Sequence, residues 1–295
     1  MARFGRVLSA MVTPFDANGA LDLDVAARLA QHLQNQGNDG LVIAGTTGES
    51  PVLTDDERLS LFAAVVEAVN IPVIAGTGTN DTAHSVHLTT QAAALGVAGI
   101  LAVCPYYNRP SQAGIEAHVR AMAAASDLPV MVYDIPVRSG RKIATATLLR
   151  LANEVPTVVA LKDAAGNPAE TAALISSAPD GFEVYSGDDV FTLPLLACGI
   201  VGTVGVATHW TGPDHQEMFD LWGKGRYPGC PPGEQPDARE LCLRNRRRRA
   251  QPHTHQGGHA SPRSCGGPGQ AAHGRRARIR RATSAPSAGE SATLA

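Results

Sequence analysis

One lysine stands inside an apolar run, Val158-Val159-Ala160-Leu161-Lys162-Asp163, which reads as a buried parallel strand. An ammonium held out of water loses stability in its charged form, so its pKa falls. A lysine that is neutral part of the time can attack a carbonyl and form a Schiff base. Taken alone, such a lysine is more often a strand-end charge that reaches solvent. Its company changes that balance. The chain also carries Gly45-Thr46-Thr47-Gly48-Glu49-Ser50, Pro105-Tyr106-Tyr107-Asn108-Arg109-Pro110, Tyr133-Asp134-Ile135-Pro136-Val137-Arg138-Ser139-Gly140 and Ser186-Gly187-Asp188-Asp189.

Each of these runs has an ordinary structural account. Gly-Thr-Thr-Gly is a turn, Tyr133 a core aromatic with its hydroxyl satisfied locally, Arg138 a solvated charge, and Ser-Gly-Asp-Asp an N-capped turn. Together they describe one reaction. A neutral Lys162 attacks the ketone of a 2-oxo acid, and Tyr133 gives and takes the protons of the carbinolamine. Thr46 and Tyr107 pass the proton on towards solvent. The backbone N–H groups and hydroxyl of Thr46-Thr47 suit the keto acid's carboxylate, and Arg138 offers a bidentate fork for a second carboxylate. No metal and no organic cofactor is required, because the protonated imine is itself the electron sink.

These residues need elements that bring them to one face. Apolar, β-rich runs occur at Val7–Phe15, Asp39–Gly45, Pro72–Gly78, Gly99–Pro105, Pro129–Ile135, Val158–Ala164, Phe182–Asp188 and Gly199–Ala207. Helical patterns fall between them, for example Leu23–Gln36, Thr54–Ala68, Thr82–Leu95 and Ser111–Ala125. Thr54-Asp55-Asp56-Glu57 has the form of a capping box. Eight strands alternating with helices predict an α/β fold, a (β/α)8 TIM barrel over residues 1–224. A doubly wound open sheet usually has fewer strands and a Gly-rich first turn, which is missing here. In a barrel, the C-terminal strand ends share one face. All five features sit at such ends.

Composition narrows the class. No run of about 18 apolar residues predicts a membrane helix, and Met1-Ala2-Arg3-Phe4-Gly5-Arg6 lacks a signal-peptide core. A soluble, cytoplasmic protein is expected. The five cysteines show neither metal-ligand spacing nor a disulfide framework. Charge divides unevenly. Residues 1–225 hold 12 of the 25 Lys and Arg and 23 of the 27 Asp and Glu, a balance of −11, while the remaining 70 residues hold 13 and 4, a balance of +9. Residues 225–295 are rich in Gly, Pro, Arg, His and Ser, and by composition should be disordered.

The first three of these runs, Gly45 to Ser50, Pro105 to Pro110 and Tyr133 to Gly140, together with Leu161-Lys162-Asp163, strongly resemble dihydrodipicolinate synthase, of the pyruvate-dependent Schiff-base lyase and aldolase superfamily. The resemblance covers residues 1 to about 224. It implies a lyase that condenses pyruvate with L-aspartate 4-semialdehyde to 4-hydroxy-tetrahydrodipicolinate, on the route to diaminopimelate and lysine. By that resemblance Lys162 forms the Schiff base, and Tyr133, Thr46 and Tyr107 make the proton relay. Tyr107 would reach into the neighbouring subunit's site in a homodimer or homotetramer. Thr47 would bind the pyruvate carboxylate and Arg138 that of the semialdehyde, with Gly187 and Val204 as further substrate contacts. Sister families, the N-acetylneuraminate lyases and 2-keto-3-deoxy sugar-acid aldolases, share the lysine and tyrosine. Arg138 with the paired tyrosines favours the synthase, since an open-chain sugar acid needs hydroxyl partners rather than a second carboxylate clamp. In some members lysine inhibits at the dimer interface. This sequence keeps Ser50, Asn80 and Tyr106 there but places Asp55, Arg58 and His84 where lysine-sensitive members carry two histidines and a glutamate. Weak or absent feedback is expected.

The tail departs from the family's small helical C-terminal domain as written, but not in another frame. GC-rich codons for Arg247 through His273, entered one nucleotide later, read DDAPNPIPTKAVMRALGLAVGPVRLPMG, an amphipathic string similar to that domain. A reading-frame shift near Gly225 explains this. The run Arg246-Arg247-Arg248-Arg249, the cluster His253, His255 and His259, and Cys230, Cys242 and Cys265 are then out-of-frame residues. A nucleic-acid arm is the competing account, but its basic patch would interleave aromatics, so no nucleic-acid or membrane partner is expected. An inactive product of a shifted gene is the remaining alternative.

Overall fold

Eight parallel strands close on themselves in chain order, β1 to β8, with β8 pairing β1. They are β1 Val7–Ala10, β2 Gly40–Ile43, β3 Val73–Gly76, β4 Gly99–Val103, β5 Val130–Asp134, β6 Val158–Asp163, β7 Glu183–Ser186 and β8 Gly202–Gly205. The helices are α1 Leu23–Asn35, α2 Asp55–Ala68, α3 Thr82–Ala93, α4 Gln112–Ala123, α5 Pro136–Ser139, α6 Thr145–Glu154, α7 Pro168–Ser177, α8 Thr192–Leu196 and α9 Thr208–Gly223. This is the expected (β/α)8 barrel. The structure is a computed structural model and describes residues 2–226. The expected disorder of the tail, its Arg run, His cluster and three cysteines all lie outside the described residues.

Strands covered on both faces read as continuous apolar runs rather than alternating ones, and β1, β2, β3, β5 and β8 are buried at every residue. Phe4, Leu8, Ala10, Val42, Ile74, Leu101, Met131, Ala160, Tyr185 and Val204 fill the barrel interior. A larger apolar layer joins the outer strand faces to the helices, with Leu33, Leu61, Phe62, Val119, Leu151 and Phe219 among its members. Burying each such side chain contributes roughly 1.5–3 kcal/mol.

Helix starts are fixed locally. Thr54 accepts from the Glu57 backbone N–H while its own N–H donates to Glu57 Oε2 at 2.8 Å, the reciprocal capping box expected from the sequence. Asp22, Asp81, Ser111 and Asn167 cap α1, α3, α4 and α7 with single side-chain bonds. Helix α9 bends at Thr211, two residues before Pro213, whose ring cannot sit inside a regular helix.

Strand pairing sets the site. Val103, Tyr133, Lys162 and Tyr185 are register partners in succession across β4 to β7. Tyr133 and Lys162 therefore stand side by side, one strand apart.

Candidate active site

Lys162 is 4% exposed, and its Nζ lies 4.3 Å from the centroid of the Tyr133 ring. Burial pulls the ammonium's pKa down from 10.5 to about 8, and the carboxylate of Asp189 opposes that shift. The lysine stem lies flat because its neighbour has no side chain. A Cβ on Gly187 would sit 3.0 Å from Lys162 Cγ and 2.9 Å from Ala164 Cβ.

Tyr133 is also buried, and burial raises its pKa. A hydrogen bond with the Thr46 side chain and the charge of Arg138 pull the other way, while Asp188 adds to the rise. The phenol is thus protonated at neutral pH and linked to a hydroxyl that can relay its proton. That is the equipment for making and collapsing a carbinolamine.

A cavity of about 410 Å³ opens above the pair. It gathers Thr46, Thr47, Tyr133, Arg138, Lys162 and Gly187, six of the eight residues expected at the site. A second cavity of about 250 Å³ shares Thr46, Tyr133 and Arg138 and runs on to Ser50 and Tyr106. Val204 does not reach either lining. It is buried in the same interior cluster as Tyr133 and Ala160, and Val206, two residues on, lines the larger cavity. Tyr107 stands apart. It is 88% exposed and lines neither of these cavities.

The two loops that carry the threonines and the paired tyrosines hold unusual backbone. Ala44 (φ 49°), Glu49 (φ 56°), Tyr107 (φ 67°) and Arg109 (φ 49°) are all non-glycine residues in the left-handed region. Each costs on the order of 1–3 kcal/mol. Local bonds hold them: Thr13 Oγ1 donates to Gly48 O at 2.7 Å, and Arg109 Nε to Gly140 O at 3.0 Å.

Arg138 sits on the single-turn α5, exposed at the cavity rim. The loop beyond it is clamped from outside the barrel. Asp134 accepts from Ile143 N at 3.1 Å and from Lys142 Nζ at 2.9 Å, and Lys142 also meets Glu170 at 3.2 Å. Burial raises the Asp134 pKa in spite of Lys142, while the two carboxylates outweigh burial at Lys142 and raise its pKa.

One site residue was not singled out from the sequence. Asp189 Oδ2 accepts from the backbone N–H groups of Val206 at 3.1 Å and Ala207 at 3.0 Å, tying the turn after β7 to the turn after β8. The Ser-Gly-Asp-Asp run reads as an N-capped turn, and Asp188 does cap it by accepting from Val190 N at 3.2 Å. The neighbouring carboxylate, which lines the cavity with Lys162, carried no local signal.

The residues set against lysine feedback also come together. His84 Nε2 meets Asp55 at 2.8 Å, and Asn108 Nδ2 donates to Asn80 O at 2.9 Å. Arg58 donates to Ser50 O and feels the Tyr106 hydroxyl, but its Nε and Nη1 are buried without a partner among the described residues. No helix among the described residues is long and apolar enough to cross a membrane.

Residues 3–229 match the model of the dihydrodipicolinate synthetase family. The chain is 51% identical over 230 residues to a 4-hydroxy-tetrahydrodipicolinate synthase of Moorella thermoacetica, covering 77% of this chain and 78% of that protein. It is 53% identical over 225 residues to the Synechococcus sp. enzyme of that name, covering 75% and 74%. Among solved structures, a dihydrodipicolinate synthase of Bacillus anthracis superposes with a TM-score of 0.74 at 44% identity, covering 76% of this chain and 77% of that one. The Cyanidioschyzon merolae enzyme with lysine bound gives 0.75 at 42% identity, covering 82% and 80%.

Proposed function

Because the chain belongs to the dihydrodipicolinate synthetase family, we infer that it condenses pyruvate with L-aspartate 4-semialdehyde to 4-hydroxy-tetrahydrodipicolinate, a step towards diaminopimelate and lysine. It is a lyase of the class I aldolase type. The observation that carries the reading is the buried Lys162 beside the Tyr133 ring, with Thr47 and Arg138 lining the same cavity.

The neutral amine of Lys162 attacks C2 of pyruvate, and the carbinolamine loses its hydroxyl as water with a proton from Tyr133. The protonated imine acidifies the methyl group, and the Tyr133 phenolate left by the dehydration takes that proton, leaving an enamine. The enamine carbon then adds to the aldehyde, and the semialdehyde's own amine displaces Lys162 to close the ring. Thr47 holds the pyruvate carboxylate, with Gly187 lining that subsite and Val204 packed against the interior cluster that includes Tyr133. Arg138, whose guanidinium makes no hydrogen bond among the described residues, takes the semialdehyde carboxylate as a bidentate pair. That second clamp favours this acceptor over the sugar aldehydes of sister aldolases. Borohydride added with pyruvate tests the reading. A reduced pyruvate adduct on Lys162 supports it, and well-folded protein without one rejects it.

Tyr107 belongs to the same reading as a residue lent to a second copy's site in a homodimer or homotetramer of the cytoplasm. Its exposed, left-handed placement supports this. The same reading divides the chain into a catalytic barrel, 1–224, and an out-of-frame tail, 225–295. The family match stops at residue 229, and the Moorella protein is covered over 78% of its length. Resequencing the codons for Trp222 to Tyr227 decides it, since an unshifted gene sinks the idea.

A further inference from the structure

We propose that Asp189 is the counter-charge of Lys162, holding the lysine's positive charge before reaction and that of the protonated imine afterwards. The proposal rests on the Schiff-base reading above and assigns it one more residue.

Three observations meet at this carboxylate. Its Oδ2 is fixed by the Val206 and Ala207 N–H groups, so the group cannot swing away. Its Oδ1 is buried and has no hydrogen-bond partner among the described residues. An unpartnered buried oxygen costs about 1–3 kcal/mol, more when charged. It is retained where it meets something the protein's own hydrogen bonds do not supply. The backbone is also cut away for it: a Cβ on Gly205 would lie 2.2 Å from Oδ1. Asp189 and Lys162 line the same cavity, and the carboxylate acts on the ammonium against the effect of burial.

The other charged or titratable groups around Lys162 have other attachments. Tyr133 on β5 is neutral and bonded to Thr46, while Arg138 on α5 and Asp188 before the turn act on Tyr133. Asp163, next on β6, turns outward and accepts from Thr171 Oγ1 at 2.6 Å. The turn after β8 brings backbone N–H groups.

The chemistry gives the pairing a use. When Lys162 adds to the ketone and water leaves, the nitrogen ends as C=N–H⁺, with the proton and charge kept. Loss of that proton would leave a neutral imine, a far weaker electron sink. A fixed carboxylate lining the same cavity favours keeping the proton on.

The test is Asp189→Asn, whose amide oxygen can still accept from Val206 and Ala207. Reductive methylation with ¹³C-formaldehyde makes Lys162 visible by NMR without pyruvate. We expect its midpoint to move to lower pH by about tenfold in proton concentration. The pH profile of borohydride trapping with pyruvate should move with it, and the trapped yield at alkaline pH should fall. Gly205→Ala, which crowds Oδ1 but leaves the charge, should shift the midpoint the same way by less, and serves if the first variant fails to fold. An unchanged midpoint overturns the proposal. Wild-type protein whose Lys162 titrates as expected but takes no pyruvate overturns the catalytic reading instead.

Discussion

Replacing Lys162 with methionine should make the barrel more stable while abolishing its chemistry. The side chain is 4% exposed, and burial brings its midpoint from 10.5 to about 8. At ~1.4 kcal/mol per tenfold, the buried ammonium therefore costs on the order of 3 kcal/mol at neutral pH. The folded-state pKa is the depressed one. Below about pH 8 both folded and unfolded chains carry the proton, and the full penalty is present. Between about 8 and 10.5 the unfolded chain binds more protons than the folded one, so wild-type stability rises with pH. Above 10.5 the lysine is neutral in both states and the penalty is gone. Methionine fills a similar volume without a charge. Denaturant unfolding of both proteins at neutral pH should favour the variant by roughly 2–3 kcal/mol, and the gap should close as pH passes 10. Other groups titrate alike in the two proteins and cancel. A variant no more stable than wild type at neutral pH, or a gap that persists at high pH, would refute the argument that desolvation tunes this lysine.

Other outcomes follow from the same geometry. Tyr133→Phe keeps the ring against Lys162 but removes the proton donor, and kcat should fall by about 10²–10⁴ with the fold intact; a loss under tenfold counts against the relay. Arg138→Ala should raise KM for aspartate 4-semialdehyde by roughly 10- to 150-fold, the worth of a charged hydrogen bond, while pyruvate trapping on Lys162 is unchanged. Initial rates should show weak or no inhibition by lysine, because the Arg58 guanidinium, bonded to Ser50 O, is a like charge for its ammonium; potent inhibition contradicts that account. Thr54→Ala removes the side-chain acceptor of the capping box, while the backbone N–H bond to Glu57 remains, and should lower stability by about 1 kcal/mol, read as a shift in the denaturant midpoint.

The barrel was legible because parallel strands covered on both faces leave unbroken apolar runs. The strand starts at Val7, Gly99 and Val158 agree with expectation, but the runs overreach at their ends. Val7–Phe15 shortens to Val7–Ala10 because the chain then turns, and Phe15 makes an isolated antiparallel bridge with Leu21. Gly199–Ala207 shortens to Gly202–Gly205, and Gly199 is left-handed at φ 104°. Lys162, Tyr133, Thr46, Thr47 and Arg138 were legible because each sits at or just after a strand end. Asp189 was not. Its partners lie 17 and 18 residues away on the next turn, and nothing local distinguishes it from a cap. Val204 is buried in the interior cluster with Tyr133 and is not among the residues lining the cavity; strand alternation gives a side but not a depth.

The imine-forming pair and the acceptor clamp are built on different foundations. Tyr133 and Lys162 are neighbours because β5 and β6 are hydrogen-bonded in register, so their separation is held by the backbone ladder at about 4.8 Å between strands. Arg138 rides on four residues, Pro136–Ser139, outside that ladder. Rewriting those four residues would change which aldehyde is admitted without moving the nitrogen that activates pyruvate. New substrate preferences are therefore accessible by loop replacement alone, starting from a nucleophile that already works.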